Sequence, residues 1–119
     1  MDISIVVPLY NEEESLTELY NWIVKVAKAN NLSYEIIFVN DGSTDNSWKV
    51  IENLGKDDPC VHGIKFRRNY GKSAALYCGF EKAKGDVVIT MDADDTSKSV
   101  TTRFRKPYLQ NFSTLPHGL

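Results

Sequence analysis

Residues 3–20 read ISIVVPLYNEEESLTELY, and the change of rhythm inside this stretch decides the fold. Ile3 to Leu9 is a nearly continuous apolar, β-branched run, as in a strand covered on both faces of a parallel sheet. From Leu16 the period lengthens. Leu16, Leu19, Tyr20, Ile23, Val24 and Ala27 follow three-four spacing, which gathers them on one side of a helix. Glu12, Glu13 and Glu14 stand between the two, where acids suit the positive end of a helix dipole.

Outward from there the alternation repeats. Apolar runs recur at Tyr34 to Val39, Val61 to Phe66 and Asp86 to Met91. Trp48, Ile51 and Leu54 predict a second helix after Ser43, a candidate N-cap. Leu76, Phe80 and Ala83 predict a third, with Gly85 placed to end it. Strand alternating with helix across short loops means right-handed βαβ units and a mainly parallel α/β sheet with helices on both faces. After Asp95 the rhythm stops: isolated apolar residues and two prolines permit a short helix or an edge strand and dictate neither.

The 119 residues suffice for one small domain, and 42% apolar with 25% charged is ordinary for a globular chain. Sixteen acids against fourteen bases leave no basic stripe for nucleic acid. The apolar runs fall far short of the roughly 20 residues that span a bilayer. Met1-Asp2-Ile3 lacks the basic start of a signal peptide, so the expected location is cytoplasmic. Cys60 and Cys78 lack metal-type spacing and are expected as buried, reduced thiols.

In an open parallel sheet, ligands bind beyond the carboxyl ends of the strands. Those ends carry Tyr10-Asn11-Glu12, Asn40-Asp41-Gly42-Ser43-Thr44-Asp45, Arg67-Arg68-Asn69-Tyr70-Gly71-Lys72 and Asp92-Ala93-Asp94. Each cluster alone is also a good turn or cap sequence. Together on one rim they suit a diphosphate with a divalent cation. Asp92 and Asp94, two apart, would share a face if strand geometry continued. Magnesium or manganese binds through one or two carboxylates plus phosphate oxygens. Arg67, Arg68 and Lys72 supply positive charge for those phosphates, Tyr10 a ring for a nucleobase, and Asp41 an acceptor for a base N–H. A Gly-x-Gly-x-x-Gly turn is missing after the first strand, against a dinucleotide-binding domain. A phospho-receiver module would want an acidic pair there and an aspartate after the third strand; the chain has Asn11-Glu12 and Asn69.

VVPLYNEEESL, FVNDGSTDNS, RRNYGKSAALYCGFEKAKGD and VITMDAD, in this order and spacing over residues 2–94, resemble the family 2 glycosyltransferases with a GT-A fold. The branch most resembled transfers sugars to polyprenyl phosphates. The resemblance implies a Rossmann-like sheet incomplete on its C-terminal side. Residues 1–95 would be a nucleotide-diphospho-sugar-binding half, and 96–119 a divergent tail. It further implies metal-dependent, inverting transfer from a UDP- or GDP-sugar to a lipid-phosphate or saccharide acceptor, with Mn²⁺ or Mg²⁺ as cofactor. Pro8, Tyr10 and Glu12 would line the base and ribose pocket, Asp41 would bind the base, and Lys72 would lie near the nucleotide. Asp92 would sit by ribose and metal, and Asp94 would be the main metal ligand.

The family pattern departs after Asp94. Asp95-Thr96-Ser97 stands where the branch continues Leu-Gln, and the family's catalytic base, a downstream carboxylate, finds no counterpart. Permitted codons for Thr101 to Tyr108, read in a shifted frame, spell Asp-Glu-Ile-Pro-Glu-Ala-Leu, so the tail is read as frame-shifted. Two expectations follow from that: a bare sheet edge beyond the fourth strand that invites self-association, and, as the alternative function, a catalytically inactive nucleotide-binding remnant. Full-length relatives of this branch are often found at the cytoplasmic face of the membrane.

Overall fold

The computed structural model describes residues 1–93 and, as backbone, the strand Thr102–Arg105. Strand β1 (Ile3–Leu9) leads through helix α1 (Leu16–Ala29) to β2 (Tyr34–Asn40). Helix α2 (Ser47–Asp57), β3 (Val61–Lys65), helix α3 (Lys72–Lys82) and β4 (Val87–Thr90) follow, then β5 (Thr102–Arg105). The sheet order is β3-β2-β1-β4-β5. All pairings are parallel except β4 with β5, which is antiparallel.

The burial explains why the runs are continuous. Residues 4–9 of β1 and 35–40 of β2 are all buried, because helices cover both faces of these two strands. Ile5, Val7, Ile36 and Phe38 face α1 and α2, joined there by Leu16, Leu19, Ile23 and Ile51. Val6, Ile37, Val39 and Val88 face the other way, against Ala75 and Phe80 of α3. Each such buried Val, Leu, Ile or Phe side chain contributes about 1.5–3 kcal/mol of transfer free energy. β3 is half exposed, as suits an edge.

Below the strands' amino ends, two polar knots tie the layers. Asp58, just after α2, accepts hydrogen bonds from the Tyr20 and Tyr34 hydroxyls, both at 2.7 Å, and from the Cys60 amide at 2.9 Å. Burial would raise the Asp58 carboxyl, but these donors outweigh it and hold it below its ordinary range. Burial and the same carboxylate push Tyr20 up to about 12 and raise Tyr34 as well. In the second knot, Glu35 accepts from the Ser4 hydroxyl (2.5 Å) and the Lys84 amide (2.7 Å), pinning the turn into β4 onto β1 and β2.

Several local expectations shift. Ser43 does not cap α2; the helix starts at Ser47 with Asn46 as N-cap, and Ser43 is used elsewhere. The glutamate triplet sits in a turn before α1, closed by the Ser15 amide on the Glu12 carbonyl. α3 ends at Lys82 with Ala83 extended, so Gly85 lies in the turn to β4 and not at the helix end. The bare edge expected beyond β4 is occupied by β5, which pairs along it. Cys60 and Cys78 are free but only half-buried. Among the described residues, no helix is long and apolar enough to cross a membrane.

Strand order places the site. The chain builds outward from β1 to β2 and β3 on one side, then returns through α3 to β4 on the other. The crevice above the carboxyl ends of β1 and β4 is therefore the topological switch point, where open α/β sheets hold their ligands.

Candidate functional site

Three loops and the end of β4 meet above this crevice. The loop after β1 turns sharply because Asn11 takes a left-handed backbone, φ +53°. Asparagine tolerates that region because its short polar side chain bonds locally. Here it bonds across: Asn11 Oδ1 accepts from the Thr44 amide at 2.8 Å and the Asp45 amide at 3.2 Å. The Asn11 amide donates to Ser43 Oγ at 2.8 Å, and the Glu12 amide to Ser47 Oγ at 3.0 Å. Asp45 completes the clasp, accepting from the Ser47 amide and hydroxyl and from the Glu13 amide. Burial would push the Asp45 carboxyl up, but these donors prevail and hold it below its usual range.

The loop after β2 is locked to the loop after β3. Asp41 is buried, and its two carboxylate oxygens accept from the Tyr70 amide at 2.7 Å and the Gly71 amide at 3.1 Å. Next to it, Gly42 sits at φ +74°, and a Cβ there would lie 2.2 Å from the Arg68 carbonyl carbon. The loops are packed backbone to backbone, which only glycine permits. The β3–α3 loop is braced internally by Phe66 edge-on to Tyr70 and by the Arg68 guanidinium 4.8 Å from the Tyr70 ring centre.

These loops enclose an open cavity of about 230 Å³. Pro8, Tyr10, Glu12, Asp41, Lys72 and Asp92 line it, backed by Leu9 and Ala93. The structure thus brings together around one cavity all six residues singled out for a nucleotide sugar. Tyr10 stands half-exposed at its mouth. Lys72, the first residue of α3, reaches Asp92 beyond β4: Nζ lies 2.6 Å from Oδ1. Three carboxylates against one ammonium leave the lining acidic, so a diphosphate would be repelled unless a cation came with it. Asp92 is a hard oxygen donor at the cavity wall, and the Lys72 ammonium already stands in for a cation on it.

Two expectations are not met in the same way. Arg67 and Arg68 are exposed and do not line the cavity; Arg68 covers Tyr70 instead. Strand β4 ends at Thr90, so Asp92 projects from the irregular segment after it and not from continued strand geometry. Asp94 lies outside the described residues. Among the described residues, no group of three metal-ligating side chains gathers. That Asn11, Ser43, Asp45 and Ser47 form the clasp that sets loop spacing is not apparent from sequence alone. The available signal was the asparagine directly after a strand, a residue that favours the left-handed turn.

Comparison with known proteins agrees on the fold. The family described as "Glycosyl transferase family 2" matches residues 4–99. An undecaprenyl-phosphate 4-deoxy-4-formamido-L-arabinose transferase of Proteus mirabilis is 47% identical over 93 residues, covering 77% of this chain and 28% of that protein. A prophage bactoprenol glucosyl transferase homolog of Escherichia coli is 40% identical over 94 residues, covering 79% of this chain and 31% of that protein. The chain thus spans less than a third of the curated relatives it matches. Among solved structures, S. aureus TarS 1-349 in complex with UDP-GlcNAc superposes with a TM-score of 0.69 at 26% identity, covering 95% of this chain and 30% of that one.

Proposed function

The chain belongs to glycosyl transferase family 2, and on that premise we propose that residues 1–95 form the nucleotide-diphospho-sugar-binding half of a polyprenyl-phosphate sugar transferase. The observation that carries this is the cavity at the switch point, lined among the described residues by an aromatic ring, three carboxylates and one ammonium. The names of the relatives support the acceptor class, and the UDP-GlcNAc complex of TarS supports the donor class.

In this reading the Tyr10 ring stacks on the base, and Pro8 and Glu12 flank base and ribose. Asp41 keeps its two amide bonds and accepts a base N–H on a free lone pair, since each carboxylate oxygen has two. Because those amides fix its position, Asp41 needs no reorganisation on binding. Asp92 faces ribose and cation, and Asp94 is assigned as the main metal ligand on sequence grounds. Mn²⁺ or Mg²⁺, when bound, supplies a Lewis acid that neutralises the leaving diphosphate. Transfer is proposed as inverting, with a catalytic base that no described residue supplies.

Calorimetric titration of the chain with UDP and GDP, with and without Mn²⁺, tests the reading. Binding of one nucleotide at least tenfold tighter with Mn²⁺ is expected. Asp92→Asn and Asp94→Asn should each erase that metal dependence. Tyr10→Ala should weaken binding by about tenfold, the lower half of the ~1–3 kcal/mol that base–aromatic stacking contributes. Equal affinity with and without the metal, or no binding of either nucleotide, rejects the proposal.

A further inference from the structure

Lys72 is oddly placed for a residue serving stability alone. It opens α3, where the helix dipole disfavours a cation, and no acidic side chain stands in the first turn to compensate. Its charge is met across the crevice by Asp92, at 2.6 Å. The Lys72 side chain is 57% exposed and that of Asp92 28%, so the pair is reachable from solvent and exchangeable. Of the described residues lining the cavity, Lys72 is the one cation.

Resting on the nucleotide–metal reading above, we propose that Lys72 is the resident counter-ion of Asp92, which excludes the divalent cation until a nucleotide diphosphate arrives to take the ammonium. The geometry forces a competition. A divalent ion approaching Asp92 Oδ1 meets an ammonium already in hydrogen-bond contact with that atom, and two cations on one oxygen repel. The ammonium is a compact charge on a flexible four-carbon stem, so it can swing away without moving α3. A diphosphate supplies the alternative partner, and with Lys72 on its oxygens Asp92 is free for the metal. Metal and nucleotide therefore bind with positive coupling, and by linkage each raises the affinity of the other by the same factor.

The test reads free Mn²⁺ by electron paramagnetic resonance, with no nucleotide present. Lys72→Met, at an exposed position, should bind Mn²⁺ about tenfold tighter than the parent chain, as expected for removing one positive charge near a divalent ion in a largely solvated site. The double variant with Asp92→Asn should lose that gain. Addition of UDP or GDP should raise Mn²⁺ affinity strongly in the parent chain and much less in Lys72→Met. If Lys72→Met binds Mn²⁺ no tighter than the parent, or if the gain survives Asp92→Asn, the counter-ion role is wrong. A gain in Lys72→Met with no nucleotide effect in the parent chain would uphold the exclusion of metal but remove the nucleotide as its release, sinking the functional reading separately. Matching circular dichroism spectra verify that each variant is folded.

Discussion

Replacing Gly42 by alanine tests how tightly the loops that frame the cavity depend on one another. Two costs add. At φ +74° an alanine occupies the left-handed region, which costs about 1–2 kcal/mol. Its Cβ would also lie 2.2 Å from the Arg68 carbonyl carbon and 2.4 Å from the Asn69 nitrogen, against the ~3.5–4.0 Å of ordinary contact. Both obstacles are backbone, so no side-chain rotation relieves them, and the β3–α3 loop must retreat by more than ~1 Å. That retreat draws the Tyr70 and Gly71 amides off Asp41. A hydrogen bond to a charged group contributes about 1.5–3 kcal/mol, so losing the better of the two brings the total to about 2.5–5 kcal/mol. For a domain whose whole stability is about 5–15 kcal/mol, this is a severe loss. Urea unfolding followed by circular dichroism measures it. Gly71→Ala is the control: its backbone is equally reserved for glycine (φ +101°, ψ 160°), but no atom lies within 4 Å of its Cβ. It should cost only the backbone strain, about 1–3 kcal/mol. A Gly42→Ala loss below about 1 kcal/mol would refute the claim that these loops are packed backbone to backbone.

Other outcomes follow from the buried polar groups and close contacts. Asp58→Asn should destabilise the chain by about 2 kcal/mol, because the neutral amide cannot accept from two tyrosines and the Cys60 amide at once. The pH profile carries the same knot. Asp58 and Asp45 are lowered in the folded state, so their contribution is complete above their unfolded pKa of about 3.9 and is lost as pH falls through the lower folded values. Tyr20 is raised to about 12, so its contribution is complete below the unfolded value of about 10 and is lost as pH climbs toward 12. Melting temperature against pH should fall on both limbs, and Asp58→Asn should flatten both; an unchanged profile contradicts the assignment. Gly79→Ala, normally worth about 1 kcal/mol of gain in a helix, should instead destabilise, since its Cβ would stand 2.3 Å from Val6 Cγ1. Adding Val6→Ala should recover part of that loss in a double-mutant cycle, and strict additivity would show that the two residues do not touch.

The alternation of apolar runs with three-four spacing fixes the first four strands and three helices, because burial on two faces and burial on one side leave different periods in a chain. It also fixes the rim, since parallel connections return every polar strand end to the same side of the sheet. Pro8, Tyr10, Glu12, Asp41, Lys72 and Asp92 were legible for that reason, and the structure finds them around one cavity. What the sequence could not state is how each polar residue divides its work. Asp41 looks like a free acceptor in the string of residues but is committed to two amides, and Ser43 looks like a cap but holds Asn11. Arg68 looks like a phosphate ligand but lies on Tyr70, while Lys72 finds its carboxylate twenty residues away. Local propensity is a property of neighbours along the chain, whereas these pairings depend on distances across loops that share no sequence proximity. Only the closed arrangement of the three loops over the sheet sets those distances, and with them the charge of the cavity.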